Sequence, residues 1–403
     1  MPWTATRSPP ASPAGFRTGR GSPVAAKRTR KNGLLLSSRT SEILLAVGLA
    51  VAIVAGAVAA SNAANRSGGP EAEMPVSDAQ ELRLGYFANV THAPALIGVD
   101  KGFFAEELGE TELSTQVFNA GPAAVEALNA GAIDAAFIGP NPAINSYVQS
   151  EGRSLRIVSG ASSGGAQLVV REGIDNPEDL EEATLTTPQL GGTQDVALRV
   201  WLKEQGIAIA MDGQPGAAIN PTENARTLQL FKDGQIDGAW VPEPWASRLV
   251  LEAGAKVLVD ERDLWPEGQF TTTLLIVGTD FLHRHPEQVK ALIAGEQRSV
   301  DWLNETLPAD PTAVAEAINA GLKSAYGLPL TDEVIGRSLA NITFTLDPHA
   351  TALAQLLEDG VTAGTTEQAD ISTILDLSIL NGLRSREGNP AIPTAGLGKE
   401  QGP

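Results

Sequence analysis

Residues 127–137 read ALNAGAIDAAF, and residues 230–240 read LFKDGQIDGAW. The two segments share Gly, Ile, Asp and Ala at matching positions, with a displacement of 103 residues. In each, the pattern predicts the end of a helix, a glycine in the left-handed region that ends it, and a strand that opens with Ile-Asp. A single helix-glycine-strand unit is common in α/β proteins, so the recurrence is what indicates two related lobes.

Short apolar, β-rich runs alternate with helical stretches through most of the chain. The predicted strands are residues 82–87, 113–118, 133–139, 155–159, 166–171, 184–187, 236–241, 257–259 and 271–277. Helices are predicted at 122–130, 142–149, 194–205 and 225–233, and later at 286–303, 311–325, 332–340, 349–359 and 371–383. This order predicts an α/β fold with largely parallel sheets, and extra C-terminal helices that pack over one lobe.

The composition supports a large folded body and excludes several classes of function. Of the 403 residues, 42% are hydrophobic and 19% are charged, which is enough for two cores and argues against general disorder. The chain contains no cysteine, which excludes disulfides, thiolate metal sites, cysteine nucleophiles and an acylated-cysteine anchor. Residues 43–403 carry a net charge of −26, so we expect no nucleic-acid partner.

The N-terminal region predicts export or membrane anchoring. Residues 1–42 are basic, with a net charge of +7, and residues 43–60 form an uncharged apolar run. This order is typical of a signal peptide or a membrane anchor, with the following chain outside the cytoplasm. We therefore predict an extracytoplasmic protein with its signal or anchor at 43–64, a linker at 65–79 and a flexible tail at 384–403; cleavage or retention is left open.

Four loops follow predicted strands and lead into predicted helices, at residues 88–94, 139–142, 190–194 and 241–245. Ligands of open α/β sheets bind beyond the carboxyl ends of the strands, where helix N-termini present unpaired N–H groups and a partial positive charge. Several such ends at one cleft form an anion site without arginine. The candidate ligand-binding residues in these loops are Asn89, Thr91, His92, Asn141, Gly191, Gly192, Thr193, Gln194 and Glu243.

Each of these loop residues also has a structural interpretation. Thr91, Asn141 and Thr193 have the side chains that cap helices, and for any one of them capping is at least as good an account as ligand binding. A single histidine, His92, equally fits an anion donor or a structural hydrogen bond. Carboxylates near the cleft would repel an anion, so Glu243 is expected to cap a helix or to form an ion pair between the lobes.

Aromatic residues and one serine complete the candidate site. Trp240 and Trp245 flank a Pro-Glu-Pro loop, where an indole can cover an alkyl chain, and Phe87 is expected to do the same from the first lobe. Residues 160–164 read GASSG, the pattern of a nucleophile elbow, but a strand-like run follows where an elbow requires a helix. We therefore expect a flexible or ligand-lining turn at Ser162 and no catalytic residue.

Several motifs resemble periplasmic substrate-binding proteins of ABC importers. Residues 84–87 (LGYF), 102–104 (GFF) and 121–134, which open with GPAAVEAL and end with GAID, are similar to the first lobe of that family. The likeness is greatest to the branch that handles aliphatic sulfonates, taurine and nitrate, and it covers roughly residues 80–300.

The second lobe carries a further part of the resemblance. DGAW at 237–240, followed by EPW at 243–245, is similar to a signature of that branch in which the residue before proline is often Asp. The resemblance implies a two-lobed type II periplasmic-binding-protein fold that closes on ligand in a cleft between the lobes.

The resemblance also places the lobes along the chain. It implies a first lobe at 80–168, completed with the C-terminal helices by 271–383, and a second lobe at 169–270. The chain is expected to cross between the lobes near 166–171 and again near 271–277.

The function implied by the resemblance is solute binding for an ABC importer. The ligand would be a small organic anion such as an aliphatic sulfonate or taurine, and a membrane permease would be the partner. Alternatives are the same fold with nitrate, bicarbonate, or a pyrimidine or aromatic ligand; a related enzyme of pyrimidine or menaquinone-type metabolism; and a sensory ectodomain. An enzyme would need a base or nucleophile in the cleft, for which only His92 and Glu243 are candidates. We expect a monomer that is not an enzyme and has neither metal nor cofactor.

Overall fold

The computed structural model describes residues 79–210, 214–327 and 329–401. The predicted basic segment, the apolar run at 43–60 and nearly all of the predicted linker lie outside these residues. Within the described ranges, no helix is both long enough and apolar enough to cross a membrane.

The strands, in chain order, are β1 (Glu81–Phe87), β2 (Glu112–Phe118), β3 (Ala135–Ile138), β4 (Leu155–Gly164), β5 (Ala166–Val170), β6 (Thr184–Thr186), β7 (Ala218–Ile219), β8 (Gly238–Pro242), β9 (Lys256–Asp260), β10 (Thr271–Gly278), β11 (Ile342–Phe344), β12 (Leu375–Asp376) and β13 (Gly398–Lys399). The helices are α1 (Ala93–Asp100), α2 (Phe103–Leu108), α3 (Gly121–Asn129), α4 (Pro140–Gln149), α5 (Thr193–Glu204), α6 (Asn224–Lys232), α7 (Trp245–Ala253), α8 (Thr279–Arg284), α9 (Pro286–Ala309), α10 (Pro311–Tyr326), α11 (Asp332–Ala340), α12 (Ala350–Thr362) and α13 (Ser378–Arg386).

The strands form two sheets, one for each lobe. The first lobe contains an eight-stranded sheet in the order β13-β12-β4-β10-β3-β1-β2, with β11 paired to β4. The second lobe contains a five-stranded sheet in the order β7-β6-β8-β5-β9. The strands that alternate with helices pair in parallel, as in β1 with β2 and β3, and β6 with β7 and β8. Antiparallel pairs arise at β5 and β10, which lie next to the two segments that join the lobes, and also between β11 and β4.

The recurring Ile-Asp pattern has the same structural role in both lobes. The Asp134 carboxylate accepts the backbone N–H of Arg83 at 2.9 Å, and the Asp237 carboxylate accepts that of Thr184 at 2.8 Å. Each carboxylate also pairs with an arginine, Arg83 in the first lobe at 2.6 Å and Arg171 in the second at 2.9 Å. Each copy of the repeat therefore ties the start of its strand to the neighbouring strand.

The crossings between the lobes lie beside the segments that were predicted to cross. Gly164 and Gly165 have φ angles of 76° and 75°, so the chain turns from β4 into β5 through two left-handed residues. The return path runs through residues 261–270, after β9 and before β10. A flexible or ligand-lining turn was predicted from Ser162 to Gly165; residues 162–164 are instead the buried end of β4, because they pair with β10 and β11.

The C-terminal helices pack mainly on the first lobe. Helices α9 and α10 lie against α1, while α11 contacts α7 of the second lobe, and α12 contacts both α4 and α5. The helix predicted at 371–383 begins later, because Leu375 and Asp376 form strand β12. The C-terminal segment, predicted as a flexible tail, is packed as far as it is described: Ile392 is buried, and Gly398–Lys399 pairs with β12.

Candidate functional site

Four helices begin around one small cavity between the lobes. Helices α3 and α4 of the first lobe and α5 and α6 of the second all start there, and none has a side-chain hydrogen bond at its N-cap. The N-cap residues of the first three are Ala120, Gly139 and Gly192, whose side chains cannot cap a helix. The first N–H groups of a helix have no partner within the helix, so these ends bring donors and positive potential to the cavity. Helix α4 supplies the fewest donors, because Pro140 and Pro142 have no backbone N–H.

The cavity is small, and polar side chains are among its lining residues. It has a free volume of about 30 Å³, where a single water needs roughly 10–15 Å³ on the same scale. Its lining combines first-lobe residues Phe87, Asn89, Thr91, His92, Asn119, Ala120, Gly121, Gly139, Pro142 and Thr272 with second-lobe residues Pro188, Gly192, Thr193, Gln194, Asn224 and Pro242. Among these described lining residues there is no lysine or arginine, so helix ends and polar side chains provide the positive potential.

Three buried side-chain atoms at the cavity lack a hydrogen-bond partner within the described residues. They are Nε2 of His92, Oγ1 of Thr193, the first residue of α5, and Oδ1 of Asn224, the first residue of α6. Buried polar groups are nearly always paired in folded proteins. The hydroxyl of Thr193 is therefore well placed to donate to a bound acceptor.

Hydrogen bonds across the cavity hold the lobes together. The indole N–H of Trp245, in the second lobe, donates to Oδ1 of Asn89 at 2.9 Å. Nδ2 of Asn119, which also lines the cavity, donates to Oε1 of Glu223 in the second lobe at 3.0 Å. The lobes are thus in contact at the cavity through two hydrogen bonds, which is an arrangement in which a small ligand would be enclosed.

His92 lines the cavity as a neutral group. Its ring lies 4.4 Å from that of Phe87, centroid to centroid, and its Nδ1 lies 3.2 Å from Oγ1 of Thr91. Burial lowers the pKa of the His92 imidazole to about 3. The histidine therefore supplies a polar edge to the site and no positive charge at neutral pH.

Glu243 does not face the cavity. Its buried carboxylate accepts the N–H of Ser247 in α7 at 2.9 Å and pairs with Arg337 of α11 at 3.0 Å. It also accepts hydrogen bonds from Ser338 at 3.1 Å and Asn341 at 2.7 Å. The residue thus both caps a helix and forms an ion pair with a C-terminal helix. Its negative charge is neutralised by Arg337 and does not face the cavity.

Asp195, which follows the cavity residues in α5, is compensated in the same way. Its carboxylate accepts the N–H of Gly191 at 3.0 Å and the hydroxyl of Thr187 at 3.0 Å, and it pairs with Arg199 at 2.9 Å. Neither of these buried carboxylates opposes an anion at the helix ends.

The structure brings together about half of the residues predicted for the site. Phe87, Asn89, Thr91, His92, Gly192, Thr193 and Gln194 line the cavity. Gly191 and Trp245 do not line it and donate hydrogen bonds to Asp195 and Asn89, respectively. Asn141 and Ser162 are buried behind the cavity wall, where they donate to the carbonyl oxygens of Leu356 and Thr91, respectively.

Trp240 was predicted at the cleft, and that prediction is wrong. The residue is 0% exposed in the core of the second lobe, with its ring 6.1 Å from that of Trp201. Its indole N–H donates to Oε2 of Glu261 at 2.7 Å. Because β8 is buried on both faces, the alternation of side chains along it directs Trp240 into the core, and no polar residue in the strand marks this phase.

Several lining residues are not among those predicted from the sequence. Strand β2 is followed by Asn119, Ala120 and Gly121, and α6 begins at Asn224 after β7. Both places lie beyond the carboxyl end of a strand, where ligands of open α/β sheets bind. The sequence therefore contains a signal for these residues, because each segment joins a strand to a helix. Thr272 lies within β10, and nothing in its sequence context distinguishes it from its neighbours.

Comparison with known proteins agrees with this fold. The chain is 28% identical over 217 residues to the taurine-binding periplasmic protein of Escherichia coli (strain K12), a match that covers 53% of this chain and 64% of that protein. The structure resembles the alkanesulfonate-binding protein SsuA from Xanthomonas axonopodis pv. citri, with a TM-score of 0.60 and 20% identity over 72% of this chain and 96% of that one. It also resembles the periplasmic nitrate-binding protein NrtA from Synechocystis PCC 6803, with a TM-score of 0.65 and 15% identity over 80% of this chain and 92% of that one.

These likenesses confirm the predicted two-lobed periplasmic-binding-protein fold. The model of the NMT1-like family matches residues 76–319, which is more than half of the chain and includes every helix end at the cavity. The chain therefore belongs to the NMT1-like family.

Proposed function

We propose that this protein is an extracytoplasmic solute-binding protein of an ABC importer, and that it binds a small organic anion with a sulfonate-like head group. The observation that carries the proposal is the set of four helix N-termini without side-chain caps at one interlobe cavity. An oxyanion there accepts main-chain N–H groups from both lobes and is favoured by the helix dipoles.

The head group would lie between the N-termini of α3, α5 and α6. Thr193 Oγ1 would donate to it from the second lobe, and Phe87, only 7% exposed, would contact the start of an alkyl tail from the first. An anion bound in this way contacts both lobes at once. It therefore stabilises their closed arrangement, which a membrane permease would recognise.

The names of similar proteins support the ligand class and the setting. A relative is named for taurine, and structural neighbours are named for alkanesulfonate and nitrate; the relative and the nitrate-binding neighbour are also named as periplasmic proteins. These proteins are binding proteins, which supports binding and release in place of catalysis. Export or anchoring by residues 43–60 would place the folded lobes outside the cytoplasm, where such a receptor operates.

A second ligand class is favoured by one observation, the small volume of the cavity. The cavity volume of about 30 Å³ is the space of roughly two to three water molecules, which is closer to the size of an inorganic oxyanion such as nitrate or bicarbonate than to that of taurine. A taurine-sized ligand requires the lobes to part slightly around its tail.

Thermal unfolding of the purified protein tests both classes. Taurine, ethanesulfonate, nitrate and bicarbonate form the panel, and ethylamine is the control that keeps the alkyl chain but reverses the charge. At a hundred times its dissociation constant, a true ligand stabilises the fold by about 2.7 kcal/mol. A midpoint that rises with ethylamine and with none of the anions would overturn the proposal.

A further inference from the structure

A second and much larger cavity lies between the lobes, separate from the anion site. It has a volume of about 650 Å³, and its walls come from α5 of the second lobe, α12 of the first lobe and the return segment between β9 and β10. Its lining consists of Thr193, Val196, Ala197, Val200, Trp201, Glu204, Glu261, Leu264, Trp265, Pro266, Glu267, Gln269, His349, Thr351, Ala352, Gln355, Leu356 and Asp359. Only Thr193 is shared with the anion site.

The cavity is strongly acidic. Four carboxylates line it, from Glu204, Glu261, Glu267 and Asp359, whereas no lysine or arginine is among its described lining residues. Glu261 is only 1% exposed, and its Oε2 accepts a hydrogen bond from the neutral indole N–H of Trp240. Buried carboxylates are normally paired with a cation.

The negative charges of neighbouring acid groups help to raise the pKa values of Glu261 and Asp359. Burial, with smaller contributions from the charges of Asp260 and Asp359, raises the pKa of Glu261 to about 8. Burial also raises the pKa of Asp359, to which the charges of Glu204 and Glu358 add. A positive group within the cavity would remove this repulsion.

The remaining walls are aromatic or carry polar atoms without partners. Trp201 and Trp265 line the cavity, and Trp265 is held by stacking on Phe270 with ring centroids 5.8 Å apart. Nε2 of His349, which also lines the cavity, has no hydrogen-bond partner within the described residues. Indole rings attract cations through their faces, and unpaired buried polar atoms are typical of sites that await a ligand.

We propose that this cavity binds an organic ammonium cation, held by Glu204 and Asp359 and covered by the two tryptophans. A metal ion is a poor alternative, because no group of three or more His, Asp or Glu residues in the described part of the chain has the geometry to hold one. The volume also suits an organic cation, since ligand pockets usually measure about 300–1,000 Å³. The proposal does not rest on the anion site, which has its own ligand.

Titration of the full-length protein with choline tests the proposal. Choline carries a permanent positive charge, and its neutral carbon isostere, in which a carbon atom replaces the nitrogen, is the control for shape. Binding is followed by calorimetry and by tryptophan fluorescence, because Trp201 and Trp265 line the cavity. Choline is expected to bind in a one-to-one ratio with a change in fluorescence, and the isostere at least about tenfold more weakly.

Charge variants assign the binding to this cavity. Asp359→Asn and Glu204→Gln each remove a lining carboxylate and are expected to weaken choline binding about tenfold. The matched control is Glu182→Gln, which removes the same charge from an exposed position of the second lobe outside the cavity lining and should change affinity less than about twofold.

Three results would overturn the proposal. They are equal binding of choline and its isostere, equal weakening by the control and lining variants, and absence of choline binding at millimolar concentration. Taurine titrations of the same samples report on the anion site separately, so failure of one site is distinguishable from failure of the other.

Discussion

Arg337 and Glu243 form an ion pair between helix α11 and the second lobe, with Nη1 3.0 Å from Oε1. The carboxylate of Glu243 is fully buried, and the same guanidinium also donates to Oγ of Ser247 and to Oε1 of Gln167, both at 2.8 Å. One side chain from the C-terminal helices thus satisfies three acceptors of the second lobe. The pair fixes the position of α11 across the junction between the lobes.

Removal of Arg337 is expected to destabilise the fold severely. Arg337→Gln leaves a buried carboxylate without its cation, which costs about 3 kcal/mol or more of unfolding free energy. Urea unfolding measures the loss. The double variant Arg337→Gln with Glu243→Gln should recover part of it, because no buried charge is then left unpaired. A loss in the single variant no larger than that of the exposed control Arg153→Gln would contradict this account of the pair.

The N-cap of α3 offers a way to separate helix stability from anion binding. Ala120→Asp introduces a good capping side chain, which should stabilise α3 by about 1 kcal/mol, but it also places a negative charge at the anion site. Affinity for ethanesulfonate should fall about a hundredfold or more, measured by calorimetry. Ala120→Asn caps the helix without the charge and is the matched control. Equal affinities in the two variants would mean that the helix end does not face the anion.

Glu296 is expected to limit stability at neutral pH. Its side chain is fully buried in the first lobe, and burial raises its pKa well above the ordinary value of 4.5. The folded state therefore holds the proton more tightly than the unfolded chain. This contribution to stability is complete below pH 4.5 and is lost as the pH rises toward the folded pKa.

Glu296→Gln removes that pH dependence and keeps the side-chain shape. Relative to the natural protein, the variant should gain unfolding free energy as pH rises above 4.5, by at most about 1.4 kcal/mol for each pH unit. Urea unfolding at about pH 4.5 and pH 8 measures it. Glu305→Gln, at an exposed position of the same helix, should show no such slope. The account would be contradicted if the unfolding free energy of Glu296→Gln, measured relative to the natural protein, fell as the pH rose.

Anion affinity should not depend on the protonation of His92. Because its pKa is about 3, the imidazole stays neutral across the range in which an ordinary histidine titrates. The dissociation constant of ethanesulfonate should therefore be the same within about twofold between roughly pH 5 and pH 8. A constant that falls tenfold on acidification through pH 6 would show that a charged histidine contributes to binding.

Most of the fold was predictable because its signals are local. The glycines at 131 and 234 both have positive φ angles, of 68° and 73°, as the repeat requires. The loops after β1 and β3 and before α5 reach the cavity because the carboxyl ends of parallel strands meet at one edge. These features depend on a few neighbouring residues, and those residues are visible in the sequence.

The features that the sequence did not reveal depend on distant contacts. The C-terminal segment is held by Asn381, whose side chain bonds the backbone of Ile392 and of Glu400. Arg337, which compensates the charge of Glu243, lies 94 residues later in the chain. No sequence pattern near Glu243 therefore predicts this pair. The direction of Trp240 depends on the phase of a strand that is buried on both faces.

A crystal structure of the protein with ethanesulfonate tests the central claim most directly. We expect the sulfonate oxygens about 2.8–3.0 Å from main-chain nitrogens in the first turns of α5 and of at least one helix of the first lobe, with Thr193 Oγ1 as a further donor. A sulfonate held instead by lysine or arginine side chains elsewhere, with the four helix ends empty, would contradict it.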